Sequence, residues 1–170
     1  MISMKTINKM QAKEYIKTFG SIFENSPWIA EKAWGYRPFA NLSEMYNIMV
    51  TIVFDARLSS KLALLKAHPD LGTRLEISST SQQEQLQAGL NQLSEDEYTE
   101  FSKLNKQYTE KFGFPFILAV RGKTKEVIKE NMKKRVHYRY EQEIETALNE
   151  VCKIAKFRLL DIVSDRIEVK

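Results

Sequence analysis

Apolar residues recur at helical spacing along almost the whole chain, and this periodicity limits the possible folds more than any other feature. One face runs through Met45, Ile48, Met49, Ile52 and Val53, and the same spacing returns in segment after segment. The alternating apolar and polar runs that indicate strands are missing. Glycine is scarce at six residues and proline at four. We therefore predict an all-α fold.

The length and composition are those of one domain. A chain of 170 residues with 43% hydrophobic content is long enough to bury roughly 70% of the surface that the unfolded chain exposes. We predict a single-domain helical bundle of about seven to eight helices over residues 1–170, in which residues 164–170 resemble the start of a linker. The helices are placed near residues 6–19, 28–35, 43–56, 59–68, 81–91, 94–112, 123–138 and 140–163.

One apolar run, residues 112–122, does not fit a helix. Pro115 breaks any helix that enters from Tyr108, and the residues after it are continuously apolar. We predict a buried extended segment near residues 114–120, whose peptide groups need partners because an unpaired buried group is costly. A planar polar ligand would supply such partners, and so would side chains of the core.

Composition excludes several classes of protein. The single cysteine, Cys152, rules out an intramolecular disulfide and a multi-cysteine metal site, and its neighbours indicate a core position. No secretory signal is present and no stretch reaches about 18 apolar residues, so we expect a cytoplasmic protein with no membrane contact. The net charge of +4 permits an anionic partner. Acids are mixed with the basic residues almost everywhere, however, so we expect no nucleic-acid binding.

His68, one of two histidines, stands where a long helical pattern stops. Pro69 disfavours helical geometry at the residue before it, so His68 is predicted to be the last residue of a helix. The partial negative charge at a helix C-terminus favours the imidazolium, which suits a residue that gives or takes a proton near neutral pH. A histidine that only caps the helix is the alternative.

A polar cluster follows at residues 79–90. Ser81 and Glu84 have the spacing of a capping box, a structural task that explains both residues, and Ser94 and Glu97 repeat this spacing at the next helix. Gln85 distinguishes the first site, because it adds an amide beside a carboxylate near a helix N-terminus. The sequence contains no Gly-x-Ser-x-Gly, P-loop or dinucleotide-binding pattern, and its histidines form no metal-binding motif.

Four separated segments form a single pattern: residues 67–72, residues 81–85 with 88–90, residues 104–105 with 112–123, and residues 154–159. In this order they resemble the 2-oxo-4-hydroxy-4-carboxy-5-ureidoimidazoline (OHCU) decarboxylases of purine breakdown, over nearly the whole chain. The resemblance implies a homodimeric all-helical lyase that needs no cofactor or metal and converts OHCU to (S)-allantoin. Residues 73–78 depart from the family pattern, so the entrance to the site is expected to differ.

The resemblance also implies roles for individual residues. His68 and Glu84 are the implied catalytic residues, with His68 as general acid and base. The implied substrate-binding residues are Pro69, Ser81, Gln82, Gln83, Gln85, Phe116, Ile117, Leu118, Ala119, Val120 and Arg158. In some bacteria a domain of this kind is fused to urate oxidase, and the linker-like end is compatible with such a fusion. A helical interaction module and a different cofactor-free lyase or hydrolase are the alternatives that remain.

Overall fold

The structure is a computed structural model that describes residues 1–72 and 79–165. These residues form nine helices and no sheet, with one isolated bridge between Ile2 and Val163. The predicted all-α class is confirmed. The expectation for the site entrance at residues 73–78 lies outside the described residues, as do residues 166–170 of the linker start predicted at residues 164–170.

The chain divides into two compact units, Met1–Ala67 with Val151–Lys170 and His68–Glu150. The described part of the first unit contains α1 (Met4–Lys9), α2 (Ala12–Phe19), α3 (Trp28–Trp34), α4 (Leu42–Phe54) and α5 (Leu58–Lys66). The second contains α6 (Ser79–Gln87), α7 (Glu95–Phe112) and α8 (Lys125–Arg135). The last helix, α9 (Tyr140–Ile162), belongs to the second unit up to residue 150 and to the first unit beyond it. The prediction that residues 1–170 form one domain stays a prediction.

The ninth helix arises because the helix predicted at residues 6–19 is two helices. Met10 and Gln11 adopt extended backbone, so the chain breaks between α1 and α2. The Met10 carbonyl accepts hydrogen bonds from Arg37 Nη1 at 2.6 Å and from Trp34 Nε1 at 3.3 Å. Side chains that are distant in sequence thus replace the lost intrahelical bond, and the periodicity of residues 6–19 carries no sign of this.

The second unit is built around α7. Its start is the capping box predicted at residues 94–97: Ser94 Oγ accepts from the Glu97 N–H at 3.1 Å, and Glu97 Oε1 accepts from the Ser94 N–H at 3.3 Å. It ends at Gly113, whose φ of 75° suits the left-handed cap that favours glycine. The next helix, α8, packs against α7, and Lys129 Nζ lies 3.0 Å from Glu100 Oε2.

Residues 115–120 lie outside any helix, between α7 and α8, and residues 116–120 are all buried. The segment predicted near residues 114–120 is therefore confirmed as buried and outside the helices, and its extended conformation stays a prediction. Among the described helices, none combines the length and the apolar character needed to cross a bilayer.

Cys152 is a core residue of the first unit, as its apolar neighbours predicted. The residue is 4% exposed, and burial raises the pKa of its thiol to about 12. Its backbone carbonyl accepts a hydrogen bond from the Tyr46 hydroxyl at 3.1 Å, which ties α9 to α4.

We expect the Cys152 thiol to resist thiol reagents in the native protein. Thiolate is the reactive form, and a thiol that is both buried and of raised pKa supplies almost none of it at pH 8. Reaction with a chromogenic disulfide reagent should be slow in buffer and complete in guanidinium chloride. Labelling of folded protein at the rate of a free thiol would contradict the burial described above.

Candidate active site

His68 lies just beyond the end of α5. The helix stops at Lys66, and its cap residue Ala67 donates its N–H to the carbonyls of Ala63 and Leu64 at 3.0 and 3.3 Å. His68 is therefore two residues past the last helical residue rather than the last residue itself. The predicted helix end is right to within two residues, and the imidazole belongs to a buried residue that is only 8% exposed.

The turn that follows, residues 68–72, is held by an amide side chain from α6. Gln85 Nε2 donates to the Asp70 carbonyl at 3.2 Å, and Gln85 Oε1 accepts from the Gly72 N–H at 3.1 Å. Both ends of this amide therefore contact the backbone of the turn. Because an amide that bridges two peptide groups fixes their separation, Gln85 holds the chain on the C-terminal side of His68.

A second amide holds the same turn from α7. Asn105 Nδ2 donates to the Leu71 carbonyl at 2.8 Å, and Asn105 is 7% exposed. Gly72 has a φ of +69°, and a Cβ there would lie 3.0 Å from Leu93 Cδ1 and 3.3 Å from the Phe101 ring. Backbone conformation and close packing both favour glycine at this position. Two helices thus fix the turn that begins at His68.

Asp70 is a half-buried acid of the same turn. It borders a cavity of about 310 Å³, and burial raises the pKa of its carboxyl above the ordinary value. The other lining residues are Ser102, Asn105, Lys106, Thr109 and Glu110. An acid whose charged form is disfavoured by its surroundings therefore lies two residues from His68.

The other predicted site residues of α6 separate by face. Ser81 and Gln85 are buried, Glu84 is half-buried, and Gln82 and Gln83 are exposed. The described part of α6 begins at Ser79, which places Ser81 within the helix, and the capping box predicted at Ser81 and Glu84 stays a prediction.

Residues 116–120 are held by charged side chains. Arg135 Nη1 donates to the Ile117 carbonyl at 2.7 Å, the Ala119 N–H donates to Glu150 Oε2 at 3.1 Å, and Lys123 Nζ donates to the Ala119 carbonyl at 2.7 Å. The sequence left open whether a ligand or side chains of the core pair with the peptide groups of this segment. Side chains pair with at least three of these groups, the Ile117 carbonyl and the N–H and carbonyl of Ala119.

Arg158, predicted to bind the substrate, lies in the first unit. The guanidinium is buried, with Nη2 at 2.9 Å from Glu24 Oε2 and Nη1 at 3.3 Å from the carbonyls of Ser21 and Ile22. This ion pair orients the side chain within its own unit. Its predicted contact with the substrate stays a prediction.

Sequence reasoning assigned no task to Asn105, Arg135, Glu143 or Glu150. Each is a polar residue at a buried position of a helix. Asn105, for example, shares a face with Phe101, Tyr108 and Phe112. A polar residue within an otherwise apolar helix face is the sequence signal that could have identified these four residues. Within the part of the chain that the structure describes, no group of three or more histidine, cysteine, aspartate or glutamate residues could hold a metal ion.

Comparison with known proteins relates this chain to one family. Residues 8–160 match the OHCU decarboxylase family. The chain is 40% identical to an OHCU decarboxylase of Haloferax volcanii, over 94% of this chain and 95% of that protein. It is 37% identical to the mouse (Mus musculus) OHCU decarboxylase, over 95% of this chain and 93% of that protein.

A longer relative and a solved structure extend the comparison. The chain is 45% identical to a uric acid degradation bifunctional protein of Bacillus sp., over 95% of this chain but only 32% of that protein. It therefore spans about a third of that relative. The crystal structure of an (S)-allantoin synthase has the same fold, with a TM-score of 0.81 and 32% identity over 96% of this chain and 54% of that one. With a family match across most of its length, this chain belongs to the OHCU decarboxylase family.

Proposed function

We propose that this protein decarboxylates OHCU to (S)-allantoin in urate degradation. The observation that carries the proposal is that His68 is buried at the start of a turn held by two amide side chains. Gln85 bonds the backbone of Asp70 and Gly72, and Asn105 bonds the backbone of Leu71. A histidine that served only as a helix cap would need no such support beyond the helix. We infer the identity of the substrate from membership of the OHCU decarboxylase family.

Decarboxylation of OHCU requires the enzyme to control proton transfers, because the substrate itself can accept the electron pair of the broken bond. When the carbon–carboxylate bond breaks, carbon dioxide is released and the electron pair of the bond moves through the adjacent ring C=N bond to its nitrogen, which takes a proton from water. The hydroxyl proton is then lost as the new C=O forms, while the carbon that bears the ureido group takes a proton. The substrate thus accepts its own electron pair, and we propose that the enzyme works without a cofactor.

In this proposal His68 is the general acid and base. A histidine titrates near neutral pH, so it can take the hydroxyl proton and return one to the ring in a single turnover. Delivery of the proton to one face of the planar intermediate would set the S configuration.

Glu84 and residues 116–120 are proposed to hold the ring and the ureido group. A half-buried carboxylate accepts from N–H donors, and the peptide groups of a buried segment offer both donors and acceptors to a planar ring. The N–H and C=O of Ala119 and the C=O of Ile117 are already bonded to Glu150, Lys123 and Arg135, so we assign the ring contacts to the remaining peptide groups of this segment. The proposed binding set is completed by Pro69, Ser81, Gln82, Gln83, Gln85 and Arg158.

The proposal extends to partners and location. We propose that the protein is a homodimer in the cytoplasm. We also propose that it is fused to, or associates with, urate oxidase, and a relative named as a uric acid degradation bifunctional protein supports this second proposal. Nucleic acid is not a proposed partner, since Lys125 and Lys129 of α8 pair with Glu97 and Glu100 of α7. Light scattering on the purified chain tests the dimer directly.

The first test replaces the proposed acid and base. His68→Asn should lower kcat/KM by about 10² to 10⁴-fold, the usual contribution of general acid–base catalysis, with an unchanged melting temperature. The assay is the circular dichroism of (S)-allantoin, formed from substrate that urate oxidase and hydroxyisourate hydrolase generate in situ.

The matched control is His137→Asn, since His137 is the only other histidine of the chain and is exposed. It should retain the wild-type rate. Wild-type turnover by His68→Asn would remove His68 from the mechanism. Wild-type protein that leaves the reaction at its slow uncatalysed rate would refute the decarboxylase proposal itself.

The second test concerns Gln85. Gln85→Met keeps the length of the side chain and removes both bonds to the 68–72 turn, which should cost about 1 to 3 kcal/mol of stability. Because small displacements of a reacting group are costly, kcat/KM should also fall by at least about tenfold. Chemical denaturation and the same dichroism assay measure the two effects.

Gln87→Met, on the exposed side of the same helix, is the comparison variant and should change neither quantity. If Gln85→Met lost stability and kept full activity, the two hydrogen bonds from Gln85 to the 68–72 turn would not be needed for catalysis. Single alanine variants of Gln82 and Gln83 test the predicted binding by these two exposed residues in the same assay.

A further inference from the structure

We propose that Arg135 and Glu143 form a positioning pair that sets the conformation of residues 116–120 for substrate binding. The inference rests on the proposed function for the identity of the substrate. Both residues belong to the second unit, Arg135 at the end of α8 and Glu143 in the first turn of α9. Neither was assigned a role from the sequence.

Arg135 contacts two adjacent residues of the segment in different ways. Its Nη1 donates to the Ile117 carbonyl at 2.7 Å, and its guanidinium carbon lies 4.3 Å from the centroid of the Phe116 ring. The first contact fixes the direction of a peptide group, and the second fixes the side chain just before it. One planar cation therefore orients the beginning of the segment.

Glu143 in turn orients Arg135. Its Oε1 accepts from Arg135 Nε at 2.9 Å and from Nη2 at 2.5 Å, and it also accepts from the Tyr108 hydroxyl. The side chains of Arg135 and Glu143 are only 4% and 0% exposed. Burial raises the pKa of Tyr108, so its hydroxyl keeps the proton that it donates. The Tyr108 ring meets the Phe116 ring edge to face, with centroids 5.3 Å apart.

Stability alone does not account for charges at this position. Desolvation of a buried ion pair is so unfavourable that apolar residues of similar volume often hold two helices together as well or better. An apolar pair cannot, however, donate a hydrogen bond to the Ile117 carbonyl. The feature that requires arginine here is therefore the contact with residues 116–120.

The conservative variant Arg135→Lys tests this inference. Lysine keeps the positive charge beside Glu143 and loses the planar fork that reaches Ile117 and stacks on Phe116. We expect KM for OHCU to rise about tenfold or more, the effect of one lost hydrogen bond to a charged group, while kcat changes less. Amide hydrogen exchange within residues 116–120 should become faster, by a larger factor than exchange in α7.

A second variant covers the case in which Arg135→Lys does not fold. Arg135→Met with Glu143→Leu removes both charges together, so that neither is left buried alone. It should show the same rise in KM and the same faster exchange. Lys111→Gln is the matched control, because Lys111 Nζ donates to the carbonyls of Val136 and Tyr138 at 2.6 and 3.0 Å, outside the segment.

Wild-type KM and wild-type exchange of residues 116–120 in a folded Arg135 variant would overturn the inference. Equal changes in Lys111→Gln would overturn it as well, since they would indicate a general loosening of the unit. A wild-type protein without decarboxylase activity would refute the proposed function alone. The exchange measurement would then still decide whether Arg135 and Glu143 hold the segment.

Discussion

Buried peptide groups outside helices are the constraint on which the second unit depends. A helix satisfies its own N–H and C=O groups, whereas residues 68–72 and 116–120 leave theirs to be paired by other parts of the chain. No sheet is present among the described residues to pair them. The partners are side chains that helices supply from buried positions, and the proposed site is made of the segments held in this way.

The two segments are held by different chemistry. Neutral amides hold the turn at His68, since Gln85 and Asn105 together bond the backbone of Asp70, Leu71 and Gly72. Charged groups hold the other segment, through Arg135 at Ile117 and through Glu150 and Lys123 at Ala119. Hydrogen bonds to charged groups are the stronger kind, and an arginine stacked on Phe116 adds a fixed orientation. Both arrangements favour a preorganised site, in which little remains to be ordered when the substrate binds.

Helix α7 links the two arrangements. Asn105 reaches the turn at His68, and Tyr108, three residues further along the same face, reaches Glu143 of the positioning pair. Phe101 and Phe112 continue that face as ordinary core residues. The capping box at Ser94 and the left-handed Gly113 fix where this helix starts and ends. Local sequence signals thus position a helix whose polar core residues serve non-local contacts.

The sequence by itself determined the features that depend on local physics. Periodicity established the all-α class, Pro115 and its apolar neighbours identified the buried non-helical segment, and the Ser94–Glu97 spacing identified a helix start. Only the tertiary structure decided that α1 ends at Lys9, because the Arg37 and Trp34 side chains that bond Met10 lie more than twenty residues away. It likewise decided what pairs with residues 68–72 and 116–120. Hydrogen bonds between residues distant along the chain leave no periodic trace in the sequence, whereas backbone preference and helix spacing do.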